Sequence, residues 1–177
     1  MVLNYVPKLY PPVSAERLES YRGEPITDDL TMIVNYLWNT ALSEALYPSL
    51  QGLEVTLRKS LHGALSRRYG TPAWYDYPEC LELLEQQKII EAKIEIPNRK
   101  GRTGITLGRV VAQLSFGFWP RLLNNPYEPH LWSPDRYAMI RAVFPNIARY
   151  MRSRGTIFKR YDGMRQLRNR VLHFEPI

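Results

Sequence analysis

Leu50-Gln-Gly-Leu-Glu-Val-Thr-Leu-Arg-Lys-Ser-Leu-His-Gly-Ala-Leu65 decides the fold. Leucines at 50, 53, 57, 61 and 65 recur at intervals of three and four, the period that stacks side chains along one face of an α-helix. Such a stripe needs covering by other elements, so it predicts a buried helix ending at Gly70. Working upstream, Pro48-Ser49 predicts a restart of the chain. Before it, Thr27-Asp-Asp29 starts a helix running to about Tyr47, with Leu30, Ile33, Val34, Leu37, Trp38 and Ala41 at helical spacing. A short helix over Val13–Arg22 is entered through Pro11-Pro12, capped by Ser14 and stopped by Gly23 and Pro25.

Downstream, Pro78 to about Ile96 reads as a helix with a polar outer face, followed by a flexible loop, Pro97-Asn-Arg-Lys-Gly-Arg-Thr-Gly104. A further helix begins near Thr106, and Gly117 and Pro120 predict a break at Phe116-Gly-Phe-Trp119. Asn124 to Pro129 is a turn-rich connector. Ser133-Pro134-Asp135 predicts a helix start with proline at the first helical position, running to Phe144. After Pro145 a segment to about Arg154 leads to a last helix from near Thr156. No stretch shows sustained strand alternation. The expectation is an all-α bundle in a single domain over residues 1–177.

No apolar run approaches the ~20 residues needed to span a bilayer, and Met1-Val-Leu-Asn-Tyr-Val-Pro7 lacks the features of a signal peptide. The single cysteine, Cys80, makes no internal disulfide and fits a reducing cytosol. The net charge of +7 is concentrated: residues 149–177 alone carry a net +6. A second acid-free stretch over 98–121 holds Arg99, Lys100, Arg102, Arg109 and Arg121. Clustered positive charge suits a polyanion, nucleic acid above all, or forms a solvated helix face.

Arg168-Asn-Arg-Val-Leu-His173 stands at the end of the basic segment. Met164, Leu167, Val171 and Phe174 form a stripe expected to face the core. Asn169 and His173 lie one turn apart, and Arg168 stands about 140° from His173 around the axis, so the two long side chains border one cleft without pointing the same way. Histidine moves protons near neutral pH, and arginine presents a permanently charged fork matched to phosphate. A histidine and arginines in a last turn also simply complement the helix dipole. On spacing alone both readings stand.

The words around the motif narrow the choice. Leu167-Arg-Asn-Arg-Val-Leu-His-Phe-Glu-Pro-Ile177 resembles the signature of the Abi-like (abortive infection) proteins of the HEPN superfamily. Ser14-Ala-Glu-Arg-Leu-Glu-Ser-Tyr21, the stretch Tyr36–Pro48, Leu53-Glu-Val-Thr-Leu-Arg58, Trp74-Tyr75 and Leu114–Trp119 follow in the family's order. The resemblance implies a HEPN-like helical bundle with additional helices that dimerises and acts as a metal-independent endoribonuclease of phage-defence or toxin type. It assigns the catalytic motif to Arg168, Asn169 and His173, and a supporting pair to Glu54 and Arg58. Arg58, Lys159, Arg160, Arg165 and Arg170 are then the cations expected to hold RNA.

The resemblance implies RNA as substrate, a homodimer, an antitoxin protein or RNA as a further partner, no cofactor, no metal ligands, no membrane, and a cytoplasmic location. The alternative is a catalytically silent helical module that binds RNA or a protein through its basic C-terminal face. Two departures stand out. Family members commonly carry a second histidine where this chain has Phe174, and relatives usually continue beyond the motif, so the expectation includes a missing C-terminal extension.

Other candidates yield less. His62, four residues after Arg58, either approaches the same groove or is an ordinary helix histidine; His130 reads as a loop residue. Histidine and cysteine spacing matches no zinc site, and Gly101 and Gly104 match no phosphate loop. Phe116, Phe118 and Trp119 read as core, and Tyr161 as packed against a neighbouring helix.

Overall fold

Short polar side chains start the helices by satisfying backbone N–H groups that have no partner within the helix. Ser14 accepts from the Arg17 amide and opens α1 (Ala15–Glu19). Asp28 accepts from the Thr31 amide at 2.8 Å at the start of α2 (Asp29–Tyr69). Thr106 and Asp135 do the same for α4 (Leu107–Gln113) and α6 (Arg136–Val143). Further α-helices among the described residues are α3 (Leu83–Asn98), α5 (Phe118–Arg121) and α7 (Arg154–His173). This computed structural model describes residue 8 and residues 13–23, 28–98, 106–133 and 135–177. No strand occurs among the described residues, and no helix among them is long and apolar enough to cross a membrane.

The chain forms two compact units, one within Met1–Gln51 and Gln166–Ile177, the other within Gly52–Arg165. In the second unit Leu57, Leu61 and Leu65 are fully buried, as the leucine period demands. They belong to one core with Trp74, Trp119, Trp132, Phe116 and Phe118. Each such side chain contributes about 1.5–3 kcal/mol on burial. Two of the three indoles are bonded: Trp132 Nε1 donates to the Leu122 carbonyl at 2.8 Å and Trp74 Nε1 to His62 Nδ1 at 3.0 Å, whereas Trp119 Nε1 is buried with no acceptor among the described residues. Tyr161 packs on Phe144 with ring centroids 5.8 Å apart.

One buried acid braces this core. Glu85, 1% exposed, sits on α3 with Arg121 Nε 2.6 Å from Oε1 and the Tyr127 hydroxyl donating to Oε2 at 2.5 Å. Burial and the bond to Glu85 raise the Tyr127 phenol well above its ordinary value. A buried carboxylate needs both a charge partner and hydrogen bonds; Glu85 has Arg121 as the first and the Tyr127 bond to Oε2 as the second, while Oε1 accepts no hydrogen bond among the described residues.

In the first unit Leu18, Tyr21 and Met32 are buried, with Val13, Ile33 and Tyr36 packed on them. Tyr21 and Tyr36 meet edge to face, centroids 5.3 Å apart.

Several expectations need correction. No break occurs at Pro48: α2 runs continuously through it. Proline removes one helix hydrogen bond, to the carbonyl of Glu44. Glu44 and Pro48 are both exposed, so water can serve that carbonyl. The α3 helix starts at Leu83 rather than Pro78, after turns following Trp74–Asp76. Asp135, not Ser133, caps α6, so the helix begins at Arg136. The last helix starts at Arg154, two residues before Thr156.

Of the last helix's stripe, Val171 is buried and Leu167 half-buried, but Met164 and Phe174 are 42% and 59% exposed. The helix ends at His173, and Phe174 turns away with φ +56°. On α2 the covered line is Met32, Asn39, Ser43 and Leu50, whereas Leu30, Val34, Leu37 and Trp38 face outward. Pro11, Pro12, Pro25, Thr27, Pro134 and the expected loop beyond Asn98, with Arg99, Lys100 and Arg102, lie outside the described residues.

Candidate functional site

The end of α7 carries the motif residues. Arg168 and Asn169 are half-buried, and His173 is exposed as the last residue of the helix. Its imidazole makes no hydrogen bond or ion pair with a described residue. Arg170 is exposed, and its carbonyl accepts from the Glu175 amide at 2.9 Å. The Phe174 amide donates to the Val171 carbonyl at 3.4 Å. These two bonds around a left-handed residue form a Schellman ending, in which glycine usually occupies the left-handed position. Here Phe174 holds it, a conformation that costs a non-glycine residue about 1–2 kcal/mol.

The residues after the helix are tied down by α2 and the turn after α1. The Tyr21 hydroxyl donates to the Phe174 carbonyl at 2.8 Å, and Asn39 Nδ2 donates to Tyr21 Oη at 3.0 Å and to the Glu175 carbonyl at 3.3 Å. Asn39 Oδ1 accepts from the Ile177 amide at 2.9 Å. The Arg17 guanidinium lies over the Phe174 ring, 5.8 Å from its centroid. Burial raises the Tyr21 phenol above its ordinary value, keeping it a donor. His173 is thus presented at a helix end whose continuation is fixed on both sides.

Within the same unit a cavity of about 270 Å³ opens beside this ending. Tyr36, Asn39, Ser43, Glu44 and Tyr47 line one side, from successive turns of α2, and Leu172 and Phe174 line another. Sequence reading missed this cavity and the Tyr21–Asn39 clamp. The clamp reaches from Tyr21 and Asn39 to residues 136 to 153 positions away through ordinary-looking polar side chains, which leave no local signal. The tyrosine spacing 36, 47 about Asn39 and Ser43 was the one available hint.

The other predicted residues lie in the second unit. Glu54 and Arg58 are paired, Oε1 to Nη2 at 2.8 Å, and both are largely buried. Arg58 Nε is buried with no acceptor among the described residues. Arg165 Nε donates to Asp162 at 2.8 Å, so this cation is partly neutralised. Lys159 and Arg160 are exposed. His62 is half-buried; because its Nδ1 accepts from Trp74, the neutral ring carries its proton on Nε2. Burial lowers its pKa, so it serves the core of its unit. Cys80 is buried, and burial raises its thiol pKa.

No known protein family, curated protein or solved structure matches the chain.

Proposed function

We propose that the protein is a metal-independent endoribonuclease of phage-defence or toxin type with a HEPN-like bundle, acting as a homodimer in the cytoplasm under the restraint of an antitoxin. The observation that carries this reading is His173: an exposed imidazole with no partner among the described residues, on the helix end that also bears Arg168 and Asn169. A histidine meant only to complement a helix terminus needs no clamped backbone around it.

In this reading His173 takes the proton of a ribose 2′-hydroxyl. The 2′ oxygen forms its bond to phosphorus while the bond to the 5′ oxygen breaks, leaving a 2′,3′-cyclic phosphate and a 5′-hydroxyl. Arg168 holds the phosphate as its charge develops, a preorganised electrostatic role. Asn169, one turn before His173, orients the ring or donates to a phosphate oxygen. Glu54 fixes Arg58 through their ion pair, and Arg58, Lys159, Arg160, Arg165 and Arg170 supply cations for the RNA backbone. The exposed Leu30, Val34, Leu37 and Trp38 of α2 support dimerisation, since an apolar face of this kind is covered by its own copy in an isologous pair.

The test is cleavage of end-labelled RNA in excess EDTA by the wild type and by His173→Ala. Cyclic-phosphate ends made by the wild type alone are expected. Cleavage that needs added Mg²⁺, or that survives His173→Ala, overturns the reading. RNA bound by both proteins but left intact favours the silent module, a reading to which Phe174 at the position of the family's second histidine lends weight.

A further inference from the structure

The cavity beside the end of α7 has the chemistry of a base-binding pocket. Tyr36 and Tyr47 stand three helical turns apart on one face of α2 and, with Phe174, give it aromatic walls. Aromatic side chains are the common platform for unstacked RNA bases. Tyr47 and Phe174 are 48% and 59% exposed, so their rings are open to an incoming base. Asn39 is saturated: both its amide nitrogen and its oxygen are engaged by the clamp.

Two polar groups of the lining are not engaged. Ser43 is 8% exposed, and its Oγ is buried with no hydrogen-bond partner among the described residues. Buried polar atoms left without partners are uncommon and call for an explanation. Glu44, one residue on, is exposed and has no ion-pair partner among the described residues. An ionised carboxylate only accepts hydrogen bonds, and it accepts two at once from adjacent donors. Among the RNA bases guanine alone offers two neighbouring donors on its Watson–Crick edge, N1–H and the N2 amino group. Adenine and cytosine place an acceptor next to their amino group, and uracil flanks its single N–H with carbonyl oxygens.

We propose that this cavity receives a guanine base, stacked on Tyr36, Tyr47 and Phe174 and read by Glu44, with Ser43 satisfied by the bound base. Leu172 and Phe174 both line the cavity, and His173, between them in sequence, does not. A guanosine seated there leaves its ribose and 3′ phosphate outside the cavity, at the helix end that carries His173. The inference rests on the ribonuclease reading for the source of the base, and it makes that enzyme selective for cleavage after guanosine.

The experiment is titration of the full chain with guanosine, adenosine, cytidine and uridine 3′-monophosphates. A parallel arm uses oligonucleotides holding a single guanosine or adenosine with 2′-deoxyribose at that position, so that they cannot be cleaved. Guanosine is expected to bind at least about ten-fold more tightly than the others, and Glu44→Gln to erase about ten-fold of that preference. Ser43→Ala weakens guanosine binding while leaving the unliganded protein at least as stable, because it removes an unsatisfied buried hydroxyl. Selective binding of the oligonucleotide alone supports a pocket that takes its base only within RNA. Equal binding of all bases, binding of none, or a preference unchanged in Glu44→Gln overturns the proposal. His173-dependent cleavage without guanosine preference removes the pocket and keeps the enzyme; guanine-selective binding without His173-dependent cleavage does the reverse.

Discussion

The hydroxyl of Tyr21 donates to the carbonyl of Phe174 at 2.8 Å and, in the same place, accepts from Asn39 Nδ2 at 3.0 Å. One oxygen therefore links the turn after α1, the buried face of α2 and the residue that follows α7. Tyr21→Phe keeps the ring and removes only that oxygen. Two partners in a largely buried setting then lose a bond, at a cost of about 1–3 kcal/mol. The expected result is a lower urea midpoint together with faster amide exchange at Ile177, whose N–H rests on Asn39. Unchanged stability and exchange would show that the clamp contributes nothing.

Phe174 occupies a left-handed conformation, φ +56°, at the position where glycine normally ends a helix. Phe174→Gly removes about 1–2 kcal/mol of backbone strain. It also removes the contact with Arg17, worth about 0.5–1 kcal/mol at an exposed site, and little burial, the ring being 59% exposed. Phe174→Ala loses the same contact and keeps the strain. In denaturant unfolding the glycine variant is expected to be about 1 kcal/mol more stable than the alanine variant and no less stable than wild type. Equal stabilities of the two variants would mean that the left-handed residue carries no strain.

How far the chain could be read by eye follows from the range of the interactions involved. Helices announce themselves locally: the leucine period at 50–65, the Ser14 cap and the helix start near Thr106 act within a turn or two, and all appear where the sequence puts them. Pro48 misleads because proline reports the loss of one bond but not whether the freed carbonyl has water beside it. Which face of α2 is covered was equally illegible. Leu30 and Trp38 have the right period, yet the cover is given to the line through Met32 and Asn39. Asn39 is drawn inward by backbone groups near the far end of the chain. Glu85 reads as one more polar residue on an outer face until Arg121 and Tyr127 close on it. At the candidate site Arg168, Asn169 and His173 could be picked out because they share one helix. The cavity needs α2 and the end of α7 together, and no local pattern joins them.

His62 gives the last prediction, in pH. Its Nδ1 accepts from Trp74 Nε1 at 3.0 Å, and protonating that nitrogen sets two donors against each other. Burial adds to the penalty on the charged form and holds the folded-state pKa below the ordinary 6.5. Between the folded and unfolded values the unfolded chain binds more protons, so stability rises with pH across that window. The contribution of neutral His62 is complete above the unfolded value and is lost as pH falls through the folded one. His62→Asn offers Oδ1 to the Trp74 indole without a titrating group. Between about pH 7.5 and about pH 5 the urea midpoint of wild type is expected to fall further than that of His62→Asn, the groups common to both cancelling in the comparison. Parallel losses in the two proteins would show that His62 is as easily charged in the folded chain as in the unfolded one, and the Trp74 bond would then have no part in acid sensitivity.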